Sequence, residues 1–345
     1  MKLGVIARAD RRGLAHVTWE AARHLAPERV LLVDMGRLSP GAIHRDWYDD
    51  PTVVQFDGTY LPEAEVRRWL AGLDVIYTAE TPYDWRLPGW AREAGVGVVV
   101  HVMPEFWKAE LRDSNPTAWW NPTSWRRDTL PESTRLVPVP YPVDRFGPPA
   151  ELYDGTGPLR VLHPAGKLAA WDRNGTRLLF QALRGVRRPV HVTVTSQDGM
   201  VPRATGLPAN VTVDVVKGDR PEYWTGYADH HLMVLPRRYG GLCLPALEGA
   251  AAGLGLVMPD CSPNGSLPLC AEIGGTWGET VAMPCGPVRL FQPNYRHLAL
   301  ALNELADDPE LVRDGQARAW GQAQLCSWEA LTGLWHAELG AAAVP

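Results

Sequence analysis

The chain has 345 residues, a formal net charge of −5, and a composition that is 46% hydrophobic and 21% charged. Such a length suggests two domains, each with its own core, and the composition is that of a soluble globular protein. No apolar run approaches the ~20 residues of a membrane span, the start MKLGVIARAD runs into a strand without a signal-peptide pattern, and the net acidity gives no global attraction for nucleic acid or anionic membrane, so a cytoplasmic protein is expected.

Lys2 to Ile6 reads as a short strand and Gly13 to Leu25 as a helix, with apolar Leu14, Val17, Ala21 and Leu25 at helical spacing. Between them lies ARADRRG. Strand, Arg/Gly loop and helix open a Rossmann-like half, which makes Gly13 a candidate binding residue. Val30 to Val33, Val53 to Phe56 and Asp74 to Tyr77 are further strands, with a helix from Pro62 to Ala71. Val96 to Val102 is almost wholly apolar, as expected of a strand covered on both faces of a parallel sheet. Ligands of open α/β sheets sit beyond the carboxyl ends of strands, and this nominates Glu80, His101 and Glu105. A strand-end histidine held by hydrogen bonds is the plain alternative for His101. From Trp107 to Arg135 the periodicity breaks down, and Trp107, Trp119, Trp120 and Trp125 interleave with Lys108, Arg112, Arg126 and Arg127. This is either a stacking platform with phosphate contacts or a cover over the sheet with Arg stems laid along it.

A Pro/Gly-rich linker at residues 148–158 then divides a first domain, residues 1–147, from a second, residues 159–325, followed by a closing helix at residues 326–345. Strands are expected at Leu159 to Leu162, Val190 to Thr195 and Val211 to Val216, and helices near Gly175 to Leu183, Glu222 to Tyr227 and Tyr295 to Leu305. The stretch VLPRRYGGLCLPALEGAAAGLGLVMPD, Val234 to Asp260, reads as strand, Gly-rich turn, short helix, strand. Pro245 suits the first helical position and Gly253 the position just past a helix end. Gly240, Gly241, Leu242, Cys243 and Leu244 thus form a tight loop feeding a helix N-terminus, where backbone N–H groups and the helix dipole can seat a phosphate. Glu248, one turn into the helix, can accept hydrogen bonds from paired hydroxyls such as a ribose diol. The bland alternative is a Gly-rich turn beside a solvated Glu.

YGGLCLPALEGAAAGLGLVMPD resembles the signature of retaining glycosyltransferases of the GT-B fold, sugar transferase family four, with Tyr239, Gly241, Leu244, Pro245, Leu247 and Glu248 in register. Gly240 stands where the family has its first Glu, a residue that usually contacts the donor sugar. The resemblance implies an α/β fold of two Rossmann-like domains facing across a cleft, with the closing helix crossing back to the first domain. It implies a nucleoside diphosphate sugar as donor, no permanently bound cofactor, Glu248 on the nucleotide ribose, and Val216 and Lys217 at the turn that reads the base. Gly166, Lys167, Leu168 and Gly175 match the family's diphosphate-binding stretch. Asn174 occupies the place of its second cation and Arg173 stands one before, so Lys167 and Arg173 are the candidate diphosphate ligands. On the acceptor side the candidates are His101 and Glu105.

No H-E-x-x-H occurs, the acidic pairs Asp49-Asp50 and Asp307-Asp308 do not form a D-x-D motif, and the five cysteines include no CxxC pair. Metal-independent transfer by a chain with reduced cysteines is the expectation. PRRYGGLCLP and the HPAG and DRNGT segments look like glycosyltransferases carried by actinobacterial phages, which implies the host cytoplasm and a hydroxymethylated base of DNA as one acceptor. Arg8, Arg11, Arg12, Arg112, Arg126 and Arg127 would then neutralise the backbone, with Trp119, Trp120 and Trp125 for stacking. A cell-envelope glycan or small-molecule acceptor needs no such patch and stays open. So do a non-catalytic sugar-nucleotide or glycan-binding module and an NAD-dependent enzyme, the last weakened because neither half shows G-x-G-x-x-G after its first strand.

Overall fold

The computed structural model describes the chain except residues 9, 11–12, 39–43, 148, 167–171, 219, 221, 262, 284 and 345, together with the side chains of 14, 37, 106, 109 and 110. It divides into two compact units: unit 1 is Met1–Val139, Met283–Gly286 and Leu331–Pro345, and unit 2 is Pro140–Ala282 and Pro287–Ala330.

Unit 1 runs β1 (Leu3–Ala7), α1 (Gly13–Leu25), β2 (Arg29–Asp34), β3 (Thr52–Gln55), α2 (Glu63–Leu70), β4 (Val75–Ala79), α3 (Leu87–Glu93), β5 (Gly97–His101), α4 (Ala109–Asp113), β6 (Ala118–Asn121) and β7 (Arg135–Leu136). The strands form one seven-stranded parallel sheet in the order β3-β2-β1-β4-β5-β6-β7. β1, β4 and β5 are buried at every residue, because a parallel strand covered on both faces has no wet side.

The tryptophans of residues 107–125 serve this core. Trp107, Trp119, Trp120 and Trp125 are all buried, and Trp120 packs against Tyr77, His101 and Trp335 with ring centroids 5.9, 5.7 and 5.2 Å away. Trp335 donates its indole N–H to the Pro138 carbonyl at 3.1 Å. The stacking-platform reading of this stretch is therefore corrected: indoles with this much apolar surface are worth more inside than in water.

Unit 2 contains α5 (Val143–Phe146), β8 (Leu159–Gly166), α6 (Thr176–Leu183), β9 (Val190–Ser196), β10 (Val211–Lys217), β11 (Leu232–Val234), α7 (Leu244–Ala251), β12 (Gly255–Pro259), β13 (Leu269–Ile273), the paired strands β14 (Gly275–Met283) and β15 (Gly286–Pro293), α8 (Tyr295–Asp307) and α9 (Pro309–Leu325). A last helix, α10 (Trp328–Ala342), begins in unit 2, and its residues from Leu331 group with unit 1. The six-stranded parallel sheet has the order β10-β9-β8-β11-β12-β13. Leu159, Val161, Val192, Leu232, Leu298 and Leu302, all fully buried, belong to its core.

The expected acidic pair at Asp307-Asp308 has structural work. Asp307 pairs with Arg188 at 2.8 Å, and the Asp308 carboxylate caps α9 by accepting the Glu310 N–H at 3.0 Å. The helix expected from Glu222 to Tyr227 is only a 3-10 turn, Tyr223–Gly226.

In each sheet the strand order reverses once, between β1 and β4 in unit 1 and between β8 and β11 in unit 2. Neighbouring loops diverge to opposite faces there and leave a crevice at the carboxyl ends of the strands.

Candidate functional site

The crevice of unit 2 is built by the loops that leave β8 and β11. Residues 167–171, and with them the expected Lys167 and Leu168, lie outside the described residues. Asp172 starts α6 by accepting the N–H groups of Thr176 and Arg177, both at 2.9 Å. Asn174 donates its amide to the carbonyls of Pro164 and Ala165 at 3.0 and 3.2 Å, so at the place of the expected second cation stands a residue that ties the loop back to β8. His163 is fully buried and bridges the Val234 carbonyl, 2.8 Å from Nδ1, and the Thr176 hydroxyl, 2.9 Å from Nε2. Burial lowers its pKa against the opposing pull of the Val234 carbonyl and Asp172.

The two loops touch through glycine. Gly175 has φ +73°, and a Cβ there would strike the Pro236 carbonyl oxygen. The Arg238 N–H donates to the Arg173 carbonyl at 2.8 Å, which brings Arg173 beside the Gly-rich loop. Arg237, only 2% exposed, donates from Nη2 to the Leu242 carbonyl at 2.8 Å. Gly240 has φ +125°, and its Cβ would collide with the guanidinium nitrogens of both Arg237 and Arg173, with Arg173 Cζ at 3.0 Å. Arg173 also lies 5.3 Å from the Tyr239 ring centroid. From here Gly241, Leu242 and Cys243 lead into α7 at Leu244, with Pro245 in its second position and no side chain capping the helix from Cys243. The arrangement presents helix N–H groups and two guanidinium groups in one place, and it suits an anion.

Glu248 lies on α7, buried at 5% exposure. Its Oε1 accepts from the Tyr223 hydroxyl and from Arg145 Nη1 at 3.2 Å, and its Oε2 accepts from the Tyr227 hydroxyl at 3.0 Å. Burial, and then the charge of Glu248, raise the pKa of both tyrosines well above the usual phenol value, so they stay donors. The carboxylate expected to meet a ribose is thus already held by an internal cluster. Val216 and Lys217 end β10, the outer strand of the sheet, two strands from the β8–β11 switch. The next residue, Gly218, donates its N–H to the Ser196 carbonyl at 2.9 Å.

At the β1–β4 switch of unit 1, Arg8 pairs with Asp10 through Nε at 3.0 Å. Burial works against the Arg8 charge, but Tyr83, Asp10 and Glu80 more than offset it and raise its pKa. Glu80 and Tyr83 hold left-handed φ values of 69° and 65°, the kind of local strain that gathers at binding sites. His101 ends β5 at 0% exposure. Its Nδ1 is 3.1 Å from the Tyr77 hydroxyl, and burial pushes its pKa down to about 3 despite the opposing Val137 backbone. That is the environment of a packing histidine. Glu105, in the 3-10 turn Pro104–Phe106, is 6% exposed, and Gly13 is the exposed first residue of α1. Neither His101 nor Glu105 offers an open face. Among the sequence candidates, Glu80 stands at the switch point itself.

Sequence reasoning missed Arg237, Arg145, Tyr223 and Tyr227. Two Arg just before the Gly-rich loop and two Tyr four apart were the available signals, but which of them turn inward depends on the approach of distant segments.

Two parallel α/β sheets, each with a switch-point crevice, define the fold of GT-B glycosyltransferases. No family model and no curated protein matches the sequence. Solved structures do match. HepE from Anabaena, in complex with UDP and glucose, superposes with a TM-score of 0.69 at 14% identity, covering 99% of both chains. Sucrose-phosphate synthase from Thermosynechococcus elongatus gives 0.66 at 14% identity over 99% of this chain and 100% of that one. An α-glucosyltransferase in complex with UDP and a 13-mer DNA containing a HMU base gives 0.63 at 9% identity over 99% of both.

Proposed function

We propose that this chain is a glycosyltransferase that takes a sugar from a nucleoside diphosphate donor, a UDP-sugar in the first instance, and passes it to an acceptor hydroxyl with retention of configuration. The observation that carries the reading is the crevice of unit 2, where Arg173 and the Gly241 to Leu244 entry to α7 converge. Bond breaking at the anomeric carbon leaves negative charge on the departing diphosphate. Oriented N–H groups and guanidinium groups stabilise that charge as it forms, a role the family resemblance extends to Lys167. The acceptor hydroxyl attacks from the same face, its oxygen bonds the anomeric carbon, and its proton passes to the leaving phosphate oxygen. No metal ion is required for this charge balance, so turnover persists in chelator. The acceptor is a glycan or small-molecule hydroxyl, and the five unpaired cysteines suit a reducing cytoplasm.

A hydroxymethylated DNA base is the second reading, favoured by the solved neighbour that holds UDP and DNA. A sugar-nucleotide-binding module without activity is separated by assay. The test is UDP-glucose hydrolysis and transfer by wild type and by the Lys167→Ala, Arg173→Ala double variant. Turnover should fall at least about a hundredfold in the variant, as for loss of oriented charge at a leaving group. Equal turnover in both would remove the assignment, and tight UDP binding without any hydrolysis would favour the binding module.

A further inference from the structure

We propose that His163 is a positioning residue for donor turnover: one buried imidazole fastens the loop that carries Arg173 to the strand exit that leads into the Gly-rich turn. The proposal rests on the reading of this crevice as a donor site. β8 and β11 pair at Val161↔Leu232 and Leu162↔Met233. One residue further on, at His163 and Val234, a side chain makes the link, with Nδ1 2.8 Å from the Val234 carbonyl oxygen and Nε2 2.9 Å from the Thr176 hydroxyl. Thr176 is the first residue of α6 and, like His163, is 0% exposed.

These partners leave one arrangement of protons. A carbonyl oxygen only accepts, so Nδ1 carries the hydrogen. Burial favours the neutral ring, so Nε2 is bare and accepts from the Thr176 hydroxyl. The main-chain N–H of the same Thr176 donates to the Asp172 carboxylate at 2.9 Å, and Asn174 donates to the Pro164 and Ala165 carbonyls. Arg173 lies between Asp172 and Asn174, so its main chain is set from both sides, through Thr176 and His163 toward β11 and through Asn174 toward β8. Breaking one member of such a buried chain strands the polar groups of the others. The consequence is lost alignment with no loss of charge, and misplacing by about 1 Å a group that meets the reacting atoms can cost on the order of a hundredfold.

Thr176→Val and Thr176→Ser separate this role from core packing, because valine keeps the shape and serine keeps the hydroxyl. The readouts, on the full chain at a temperature where every variant is folded, are calorimetric affinity for UDP and kcat/KM for UDP-glucose hydrolysis. Thr176→Val should lose about tenfold in both, and Thr176→Ser should stay within about threefold of wild type. Where glucose is not the transferred sugar, UDP affinity alone decides. Leu183→Val opens a cavity at a buried position of the same helix without touching the link, and should lower the melting temperature while leaving both readouts unchanged. With no ligand present, nitrogen-15 spectra read the tautomer: the imidazole signals that vanish in His163→Gln should show a protonated Nδ1 and a bare Nε2. Equal readouts in wild type and Thr176→Val, a serine variant as impaired as the valine one, or a proton on Nε2 would each overturn the proposal. If wild type neither binds UDP nor turns over UDP-glucose while the spectrum shows the expected tautomer, the link stands and only the donor reading is removed.

Discussion

The carboxylate of Glu248 is saturated within the protein itself. It lies one turn into α7, and three donors from Tyr223, Tyr227 and Arg145 share its two oxygens. Arg145 is itself buried, its side chain 4% exposed, and Trp224 lies 5.4 Å from its guanidinium. Under the proposed donor reading, a ribose hydroxyl would reach this carboxylate by exchanging with one of the tyrosines. Tyr223 is the half-buried one and Tyr227 the buried one, so the two substitutions separate. Tyr227→Phe should cost about 1.5–3 kcal/mol of stability, the range for a hydrogen bond to a charged group. Tyr223→Phe should cost less and tighten UDP binding by up to about tenfold, because the ligand no longer competes with a hydroxyl. The pH dependence has a definite sign. The unfolded phenol ionises near 10, whereas the folded pKa of Tyr227 is higher, so its contribution is complete below about pH 10 and is lost as pH rises through the folded value. Chemical denaturation between pH 7 and 11 should show that alkaline loss in wild type and a smaller one in Tyr227→Phe. Equal slopes would mean the hydroxyl bond does not hold the cluster.

At the scale of elements, the crevice depends on the loop at residues 172–175 lying flat against the segment that leaves β11. Gly175 enforces this through its positive φ and through the Pro236 carbonyl in the place of a Cβ. Gly175→Ala should therefore lose about 1–3 kcal/mol from backbone strain alone, with more from the collision, and it should displace Arg173 and weaken UDP at least about tenfold. Gly321→Ala is the control. That glycine lies inside α9 with open space around it, and the exchange should be neutral or gain up to about 1 kcal/mol. Thermal melts and UDP titration of the two variants check both. The parallel strands and the amphipathic helices were legible in the sequence, since their apolar runs and helical spacing follow directly from burial on one or both sides. β14 was not, because most of its residues are exposed and no buried face imposes an alternation, and in β15 the alternation of buried Val288 and Leu290 with exposed Pro287 and Arg289 is too short to stand out. The short run of Tyr223–Gly226 failed as a helix for a different reason: a segment of that length rests on its neighbours, and here the neighbours claim its tyrosines. Of the site, the loop and helix of Gly240 to Glu248 could be read locally. Arg237 could not, because its burial and its hydrogen bond to the Leu242 carbonyl depend on how the loop folds back on itself.

For the whole molecule the open question is the acceptor, and charge decides what to expect. Binding to duplex DNA comes chiefly from phosphate neutralisation and releases counterions, so the slope of log K against log salt counts the phosphate contacts. This chain carries a net charge of −5, and the arginines that a DNA-binding face would use are largely engaged. Arg8 is paired with Asp10, Arg126 donates to the Cys285 carbonyl at 2.9 Å, and Arg127 donates to the carbonyls of Pro131 and Glu132 at 3.3 and 3.1 Å. Arg112 is exposed, while Arg11 and Arg12 lie outside the described residues. The indoles that would stack on an extruded base are in the core, with Trp120 at 0% exposure. Base extrusion costs a few kcal/mol and has to be recovered by just such contacts. We therefore expect a duplex carrying hydroxymethylated pyrimidines to bind with a shallow salt slope, no steeper than about −2, corresponding to roughly two phosphates. Incubation with a mixed pool of UDP-sugars should leave its nucleosides at their original mass, while a panel of glycan and small-molecule alcohols yields at least one glycosylated product. A slope near −5 together with a hexose or pentose added to the base would reverse this, making DNA the acceptor and assigning the backbone contacts to arginines that must first leave the partners they hold here.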